Sequence, residues 1–185
     1  MNDQKLWQES MVSLNALLSD LPPAAKKPLL ELLSGYRAGK ESLAAITMAA
    51  DSGEICRDCA GQCCLNGKYR VNVFDGLSLC VAGFSLLPDF SQKPLCPYSN
   101  ANGCVMKPGF RPLDCILFVC DAIESRISGP LRADLAGFES DLRGCLREAS
   151  LLLNINLGTP LLLWTEKLTK QSIHNQRGIL DDCYK

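Results

Sequence analysis

Four cysteine thiols lie within one stretch of nine residues: Cys56, Cys59, Cys63 and Cys64. After a gap of thirty-one residues a second group follows: Cys96, Cys104, Cys115 and Cys120. Thiols at this density either cross-link a chain or hold a metal ion. The rest of the sequence is therefore read for evidence that separates disulfides from metal ligation.

The predicted cellular compartment favours metal ligation over disulfides. The N-terminal residues lack the basic start and unbroken apolar run of a secretory signal, which predicts a cytoplasmic protein. A reducing compartment disfavours disulfides, the total of 11 cysteines is odd, and neighbours such as Cys63 and Cys64 rarely cross-link. The alternative is a secreted disulfide framework whose signal was removed before the sequence was recorded.

The type of donor atom narrows the choice of metal. Thiolates without an accompanying histidine select zinc or an iron–sulfur cluster over magnesium, calcium or manganese, which prefer oxygen. Only Cys56 and Cys59 form the C-x2-C pair of structural zinc sites, and the spacing does not match the ferredoxin runs either. Zinc and iron, including a [4Fe-4S] cluster, remain equal candidates. Eight ligands suit two four-coordinate sites, or one site with spare thiols.

Composition excludes two classes of partner. The chain has 185 residues, 47% of them hydrophobic and 21% charged, with a net charge of −1, so it carries no positive field for nucleic acid. No apolar run is long enough for a membrane span, since even residues 161–164 are closed off by Glu166 and Lys167. We expect one domain over residues 1–185 that binds neither nucleic acid nor membrane.

Helices must position the thiols. Apolar residues at three- and four-residue steps predict helices on both sides of the cysteines, at 6–21, 24–36, 41–50, 113–126, 128–153 and 160–170. Between them we predict a short strand at 68–74, a short helix at 77–87 and a long loop at 88–111. The fold expected is mostly α, with at most a short strand pair. Helices in 1–53 and 121–185 would wrap an irregular Cys-rich metal-binding core in 54–120.

The combined cysteine pattern resembles the YkgJ-type family of bacterial cysteine-cluster proteins, described as zinc- or iron-chelating domains. The matching motifs are Cys56-x2-Cys59-x-Gly61-x-Cys63-Cys64, Cys96-Pro97-Tyr98, Gly103-Cys104 and Arg111-Pro112-x2-Cys115-x4-Cys120. The chain departs from the family pattern at Ile116 and at Val105-Met106. The resemblance covers residues 56–120 and implies a metal-binding protein with all eight cysteines as ligands and a structural or partner-facing role.

Two other functions stay open. A relative with a similar cysteine domain, the flagellin lysine N-methylase, implies an iron–sulfur redox or protein-modifying enzyme as an alternative. Metal storage or delivery is a third. No catalytic residues can be assigned, since the only histidine, His174, lies in a polar segment without a nucleophile motif and is expected at the surface.

Specific roles are expected for a few individual residues. Four thiolates on one divalent ion leave a negative charge, and Arg111 is the residue expected to offset it beside the cofactor. In a regular helix Cys115 and Cys120 would point about 140° apart, so they either serve different sites or the helix is irregular. Cys145 lies on the apolar face of a predicted helix and is expected to pack in the core.

Overall fold

A computed structural model describes residues 2–59, 61–65, 67–100 and 103–182, and for 172–182 it describes the helix without its side chains. In this part of the chain eight α-helices and one two-stranded antiparallel sheet form, and the structure is 69% helical. The prediction of a mostly α protein with a short strand pair is confirmed. None of these helices is both long and apolar enough to cross a membrane.

The helices are joined by short connections except between α3 and α4 and between α4 and α5, where longer irregular segments lie. Their bounds are α1 Asp3–Asp20, α2 Pro23–Ala49, α3 Ser52–Asp58, α4 Val73–Val81, α5 Leu113–Leu117, α6 Asp121–Glu124, α7 Gly129–Leu153 and α8 Leu161–Asp182. The strands are β1 Ser99–Asn100 and β2 Gly103–Cys104, and 3-10 turns lie at Gln62–Cys64, Gly67–Tyr69 and Pro108–Phe110.

Helix α2 is one continuous helix where the sequence predicts two, at 24–36 and 41–50. Gly35 and Gly39 do not end it. At Gly39 the absent side chain has a packing role, because an added Cβ would lie 3.1 Å from Cδ2 of Leu142 in α7. The glycine thus allows α2 and α7 to pack closely along their length.

The strand predicted at 68–74 is wrong: the chain there passes from the 3-10 turn Gly67–Tyr69, through an isolated bridge at Asn72, into helix α4, which begins at Val73. Asn72 accepts a hydrogen bond from the backbone N–H of Asp75 (2.7 Å), and the Asp75 carboxylate accepts one from the backbone N–H of Asn72 (3.2 Å). This capping box starts the helix at Val73 because it satisfies two N–H groups that the first turn leaves free. The buried helix packs against α1, α2 and α8 at the centre of the main hydrophobic core.

The helix predicted at 113–126 is broken. Helix α5 ends at Leu117, Phe118 is extended, and Cys120 holds an extended position directly before α6. The break allows Ile123 and Ile127 to pack with Ala50 in a second, smaller hydrophobic cluster. Cys115 and Cys120 therefore belong to separate segments.

Candidate metal centre

The first cysteine group lies on short, partly exposed elements. Cys56 is in the seven-residue helix α3, which buries none of its residues, and Cys59 follows the last residue of that helix. The Cys59 thiol donates to the carbonyl oxygen of Cys56 at 3.4 Å. Gly61, with φ of 73°, then turns the chain into the 3-10 turn that carries Cys63 and Cys64. The positive φ explains the glycine, because a side chain there would be strained.

The hairpin of β1 and β2 brings two later cysteines together. Cys104 pairs with Ser99 across the sheet. Ser99 donates from its backbone N–H (3.1 Å) and from its hydroxyl (2.7 Å) to the carbonyl oxygen of Cys96. The chain therefore folds back so that Cys104 lies near Cys96, although seven residues separate them.

Gly67 makes room for Cys96. A Cβ added at Gly67 would lie 2.6 Å from Sγ and 2.9 Å from Cβ of Cys96, closer than real contacts allow. Cys96 is only 8% exposed and belongs to the main hydrophobic core. This close approach fixes the chain after the first cysteine group against the beginning of the second.

The thiols near α3 influence one another. Burial raises the pKa of Cys56, and the next largest contributions come from the charges of Cys63, Cys59 and Cys120. Helix α6, which follows Cys120, packs on α3, and Cys120 lies in the smaller hydrophobic cluster with Ile55. We call Cys56, Cys59, Cys63 and Cys120 the α3 set.

The remaining four thiols form a second group around the hairpin. Burial raises the pKa of Cys115 to about 12, and the charges of Cys96 and Cys104 act in the same direction. Burial also raises the pKa of Cys64, and the charges of Cys96 and Cys104 act in the same direction. We call Cys64, Cys96, Cys104 and Cys115 the hairpin set. A hydrogen bond between the neighbouring thiols of Cys63 and Cys64 joins it to the α3 set.

Two arginines face the thiols. Arg70 Nη1 donates to Cys115 Sγ at 3.8 Å, and its charge lowers the pKa of Cys63, Cys64 and Cys96 against the effect of burial. The predicted Arg111 acts on the pKa of Cys56 in the same direction, while its Nε donates to the carbonyl oxygen of Met106 at 3.4 Å. Sequence reasoning missed Arg70, whose only signal was a basic residue within the cysteine segment.

A buried ion pair lies beside the segment that leads to Cys115, and no pattern in the sequence predicts it. Lys40 Nζ is 2.6 Å from Asp75 Oδ1, and both side chains are 0% exposed. Tyr36 donates to the same carboxylate oxygen at 3.0 Å, and the lysine charge lies 4.0 Å from the centre of the tyrosine ring. Burial lowers the pKa of Lys40, whereas the neighbouring Asp75 carboxylate acts to raise it.

The ion pair holds the segment that leads to Cys115. Lys40 Nζ donates to the carbonyl oxygen of Arg111 at 2.7 Å, and the Asp75 carboxylate accepts from the backbone N–H of Leu113 at 3.3 Å. The charge of Cys115 is near enough to raise the pKa of Lys40. A residue of α2 and one of α4 thus anchor the start of α5.

The thiols are grouped, but they do not form a coordination shell as they stand. Within the described ranges no three Cys, His, Asp or Glu side chains are placed to hold one metal ion, and every cysteine there is a free thiol. Thiolate sulfur is the donor that zinc and iron–sulfur clusters take. The donor type therefore fits these metals, and coordination would require the thiols of a set to move closer together.

Comparison with protein-family models, with curated proteins and with solved structures finds no match to this chain.

Cysteines outside the two sets lie apart from the candidate centre. Cys145 of α7 packs against the main core, as expected from its helix face. Cys80, in α4, packs against the same core, and burial raises its pKa to about 11. The side chain of His174 and the whole of Cys183 lie outside the part of the chain that the structure describes.

Proposed function

We propose that this protein binds a thiophilic metal, zinc or an iron–sulfur cluster, through the cysteines of residues 56–120. The bound metal fixes the central segment, which then serves a structural or partner-facing role. One observation carries the proposal. Eight thiols lie on the short elements and loops between the start of α3 and the start of α6, where Arg70 donates to Cys115 and the charge of Arg70 or Arg111 lowers the pKa of Cys56, Cys63, Cys64 and Cys96 against the effect of burial.

The thiol pKa values and the nearby arginine charges also support metal binding. Burial keeps the thiol of Cys115 protonated, with its pKa raised to about 12, so the buried sulfur does not carry an uncompensated charge in the metal-free chain. Metal binding replaces such protons and leaves four thiolates around one centre, with a net negative charge. Arg70 and Arg111 bring positive charge to that place. The resemblance of the cysteine pattern to the YkgJ-type family points in the same direction.

The local structure also suits a metal-dependent segment. Residues 56–120 contain short helices, 3-10 turns and a two-residue hairpin, whereas α1, α2 and α7 are long and pack against one another or against the core. A segment with so little regular structure gains order when an ion joins its parts, because the binding free energy becomes folding free energy. We expect the metal to order this segment without being required for the long helices.

Anaerobic purification followed by metal analysis and a visible absorption spectrum tests the proposal. Colourless protein with zinc indicates a zinc site, whereas brown protein with iron and acid-labile sulfide indicates a cluster. Exhaustive chelation is expected to expose the cysteine-bearing stretches 56–65 and 96–120 to limited proteolysis, while the buried helix α4 and most helical circular dichroism remain. Cys145→Ala is the matched control and retains the metal, because Cys145 belongs to neither set.

A metal-free protein would overturn the proposal if its protease resistance and thermal stability did not change on addition of zinc, or of iron with sulfide. Thiol counting under the same conditions checks the disulfide alternative. Eight unreactive sulfurs that become titratable only after reduction would identify a disulfide framework instead.

A further inference from the structure

We infer that Lys40 and Asp75 are positioning residues of the candidate metal centre. Neither side chain is itself a ligand. Through hydrogen bonds to the backbone of Arg111 and Leu113 they hold Cys115 where a metal ion can take its sulfur. This inference rests on the proposed function and names the residues through which the helical scaffold controls it.

The buried pair is joined directly to the segment that leads to Cys115. Lys40 Nζ donates to Asp75 Oδ1 at 2.6 Å and to the carbonyl oxygen of Arg111 at 2.7 Å. Asp75 Oδ2 accepts from the backbone N–H of Leu113 at 3.3 Å. Both charged side chains are 0% exposed. Because a buried charge is stable only while its partners stay in place, these bonds specify where residues 111–113 lie.

The hydrogen bonds supply a direction that hydrophobic packing does not. Leu113 and Ile116 are buried in the main core, but the burial of apolar surface is non-directional. Helix α5 has only five residues, too few to be stable by itself. The bonds from Lys40 and Asp75 lie on either side of Pro112, so they fix both the path and the direction in which α5 begins.

Helix α2 supports the whole approach to α5. Lys40 belongs to α2, and its neighbour Glu41 lies so close to the 3-10 turn at 108–110 that a Cβ added at Gly109 would be 2.6 Å from its Oε1 atom. One turn earlier in α2, the Arg37 guanidinium lies 5.8 Å from the centre of the Phe110 ring. Residues 108–113 therefore rest on one face of a long helix.

The first turn of α5 carries this position to the thiol. The backbone N–H of Cys115 donates to the carbonyl oxygen of Pro112 at 3.0 Å. The Cys115 sulfur then lies 3.8 Å from Arg70 Nη1. Arg111 shares the anchor, because Lys40 binds its carbonyl oxygen. One buried pair thus places both a candidate ligand and an arginine that would offset thiolate charge.

Among the described residues, the first cysteine group is held less firmly. Helix α3 buries none of its residues, and Cys56 is exposed. The Cys59 thiol donates to the carbonyl oxygen of Cys56 within the same short segment. Cys115 is therefore a fixed point towards which more exposed thiols can close when an ion binds. We expect the pair that fixes it to influence metal affinity beyond its effect on stability.

Zinc affinity, measured anaerobically by competition with a chelator, is the probe for this inference. Lys40→Met and Lys40→Met/Asp75→Asn both lack the donor to Arg111, but only the single variant leaves a buried carboxylate without its counter-charge. Each is expected to bind zinc about tenfold to a hundredfold more weakly, the usual cost of losing a group that orients a ligand. The double variant should stay weak although it regains part of the stability.

Thr165→Val is the matched control for stability. It removes a buried hydroxyl that lies 2.6 Å from the hydroxyl of Ser10, at the contact of α1 with α8 rather than at α5. We expect a lower thermal midpoint with unchanged zinc affinity. All affinities are measured well below the midpoint of each variant, and circular dichroism shows that each is folded. If the unaltered protein takes iron with sulfide instead of zinc, retained iron is counted in the same variants.

Hydrogen exchange of the metal-free protein reads the anchor directly. In both Lys40 variants the amides of residues 113–117 should lose protection, whereas those of residues 161–171 in α8 should keep it. Unchanged protection of residues 113–117 in both variants would show that the pair does not hold α5, and would overturn the inference.

The metal measurements separate this inference from the proposed function. Affinity that recovers with stability in the double variant, or that falls equally in Thr165→Val, would leave the pair a structural role only. The inference would then be wrong and the proposed function would stand. Failure of the unaltered protein to bind zinc or iron with sulfide would overturn both.

Discussion

Most buried polar groups of the helical scaffold are paired, with the Ser78 hydroxyl as an exception, whereas the described thiols of residues 56–120 have few strong partners. Lys40, at 0% exposure, binds Asp75 and the carbonyl oxygen of Arg111, and the hydroxyls of Ser10 and Thr165 lie 2.6 Å apart in the core. By contrast, the nearest donor to the largely buried Cys115 thiol is Arg70 at 3.8 Å. Buried polar groups are nearly always satisfied in folded proteins. The difference supports the proposal that a metal ion completes the cysteine segment.

The largest effect is expected where the scaffold pairing is broken. Lys40→Met leaves the Asp75 carboxylate buried without its counter-charge, which costs about 3–5 kcal/mol of unfolding free energy in such pairs. Urea denaturation followed by circular dichroism measures it. The double variant Lys40→Met/Asp75→Asn removes the uncompensated charge and should recover part of the loss. An unchanged midpoint for Lys40→Met would show that the ion pair does not stabilise the scaffold.

Two glycines provide a matched pair that separates the regions. An added Cβ at Gly76 would lie 2.5 Å from Leu14 in the scaffold, and at Gly67 it would lie 2.6 Å from Cys96 Sγ. Gly76→Ala is expected to lower the stability of metal-free and zinc-loaded protein alike, by about 1–3 kcal/mol as for an overpacked core. Gly67→Ala should instead reduce zinc retention more than it lowers the thermal midpoint of the metal-free protein. Equal effects of both substitutions on both forms would remove the distinction.

The sequence was informative about the helices and the donor type. Apolar periodicity located α1 and α7 within a few residues, because each buries one face against the core. The strand predicted at 68–74 was wrong because alternating apolar residues also occur in a short turn that leads into a buried helix. Asn72 and Asp75 carried the correct signal, a capping residue followed three positions later by an acid.

Which distant residues lie together in the folded protein could not be predicted from the sequence. Lys40 stands between a glycine and a glutamate and looks like an exposed helix residue, yet it is fully buried because Asp75 and Tyr36 come from distant positions to surround it. The position of Cys120 depends likewise on the break after Leu117, which allows α6 to pack on α3. Spacing along the chain identifies candidate ligands, but contacts between distant segments determine which of them lie near one another.

Alkaline pH should affect the two regions differently once zinc is bound. Burial raises the pKa of Cys80 from 9.0 to about 11, so its contribution to stability is complete below pH 9 and is lost as the pH rises through the folded-state value. The metal-free protein should also lose stability at high pH through ionisation of the Cys115 thiol, whose pKa is raised to about 12. Zinc binding should remove the loss of stability that comes from Cys115, because a coordinated thiolate has no proton to lose.

Thermal midpoints between pH 8 and pH 11 (about three decades around the thiol titration) measure this difference. The decline should be steeper without zinc than with it, and Cys80→Ala should flatten what remains in the zinc-loaded form. If zinc left the slope of the unaltered protein unchanged, Cys115 would not be a ligand.

The smallest effect is expected at an exposed ion pair that resembles the Lys40 pair in chemistry but differs from it in burial. Arg126 and Asp51 lie 2.9 Å apart, with side chains 51% and 59% exposed. Water screens such a pair, so Arg126→Ala should change the free energy of unfolding by less than about 1 kcal/mol. The pair nevertheless joins the start of α3 to α6, which holds Cys56 near Cys120. The variant should therefore release zinc to a chelator faster than the unaltered protein; an unchanged rate would mean that the contact between α3 and α6 does not position the thiols.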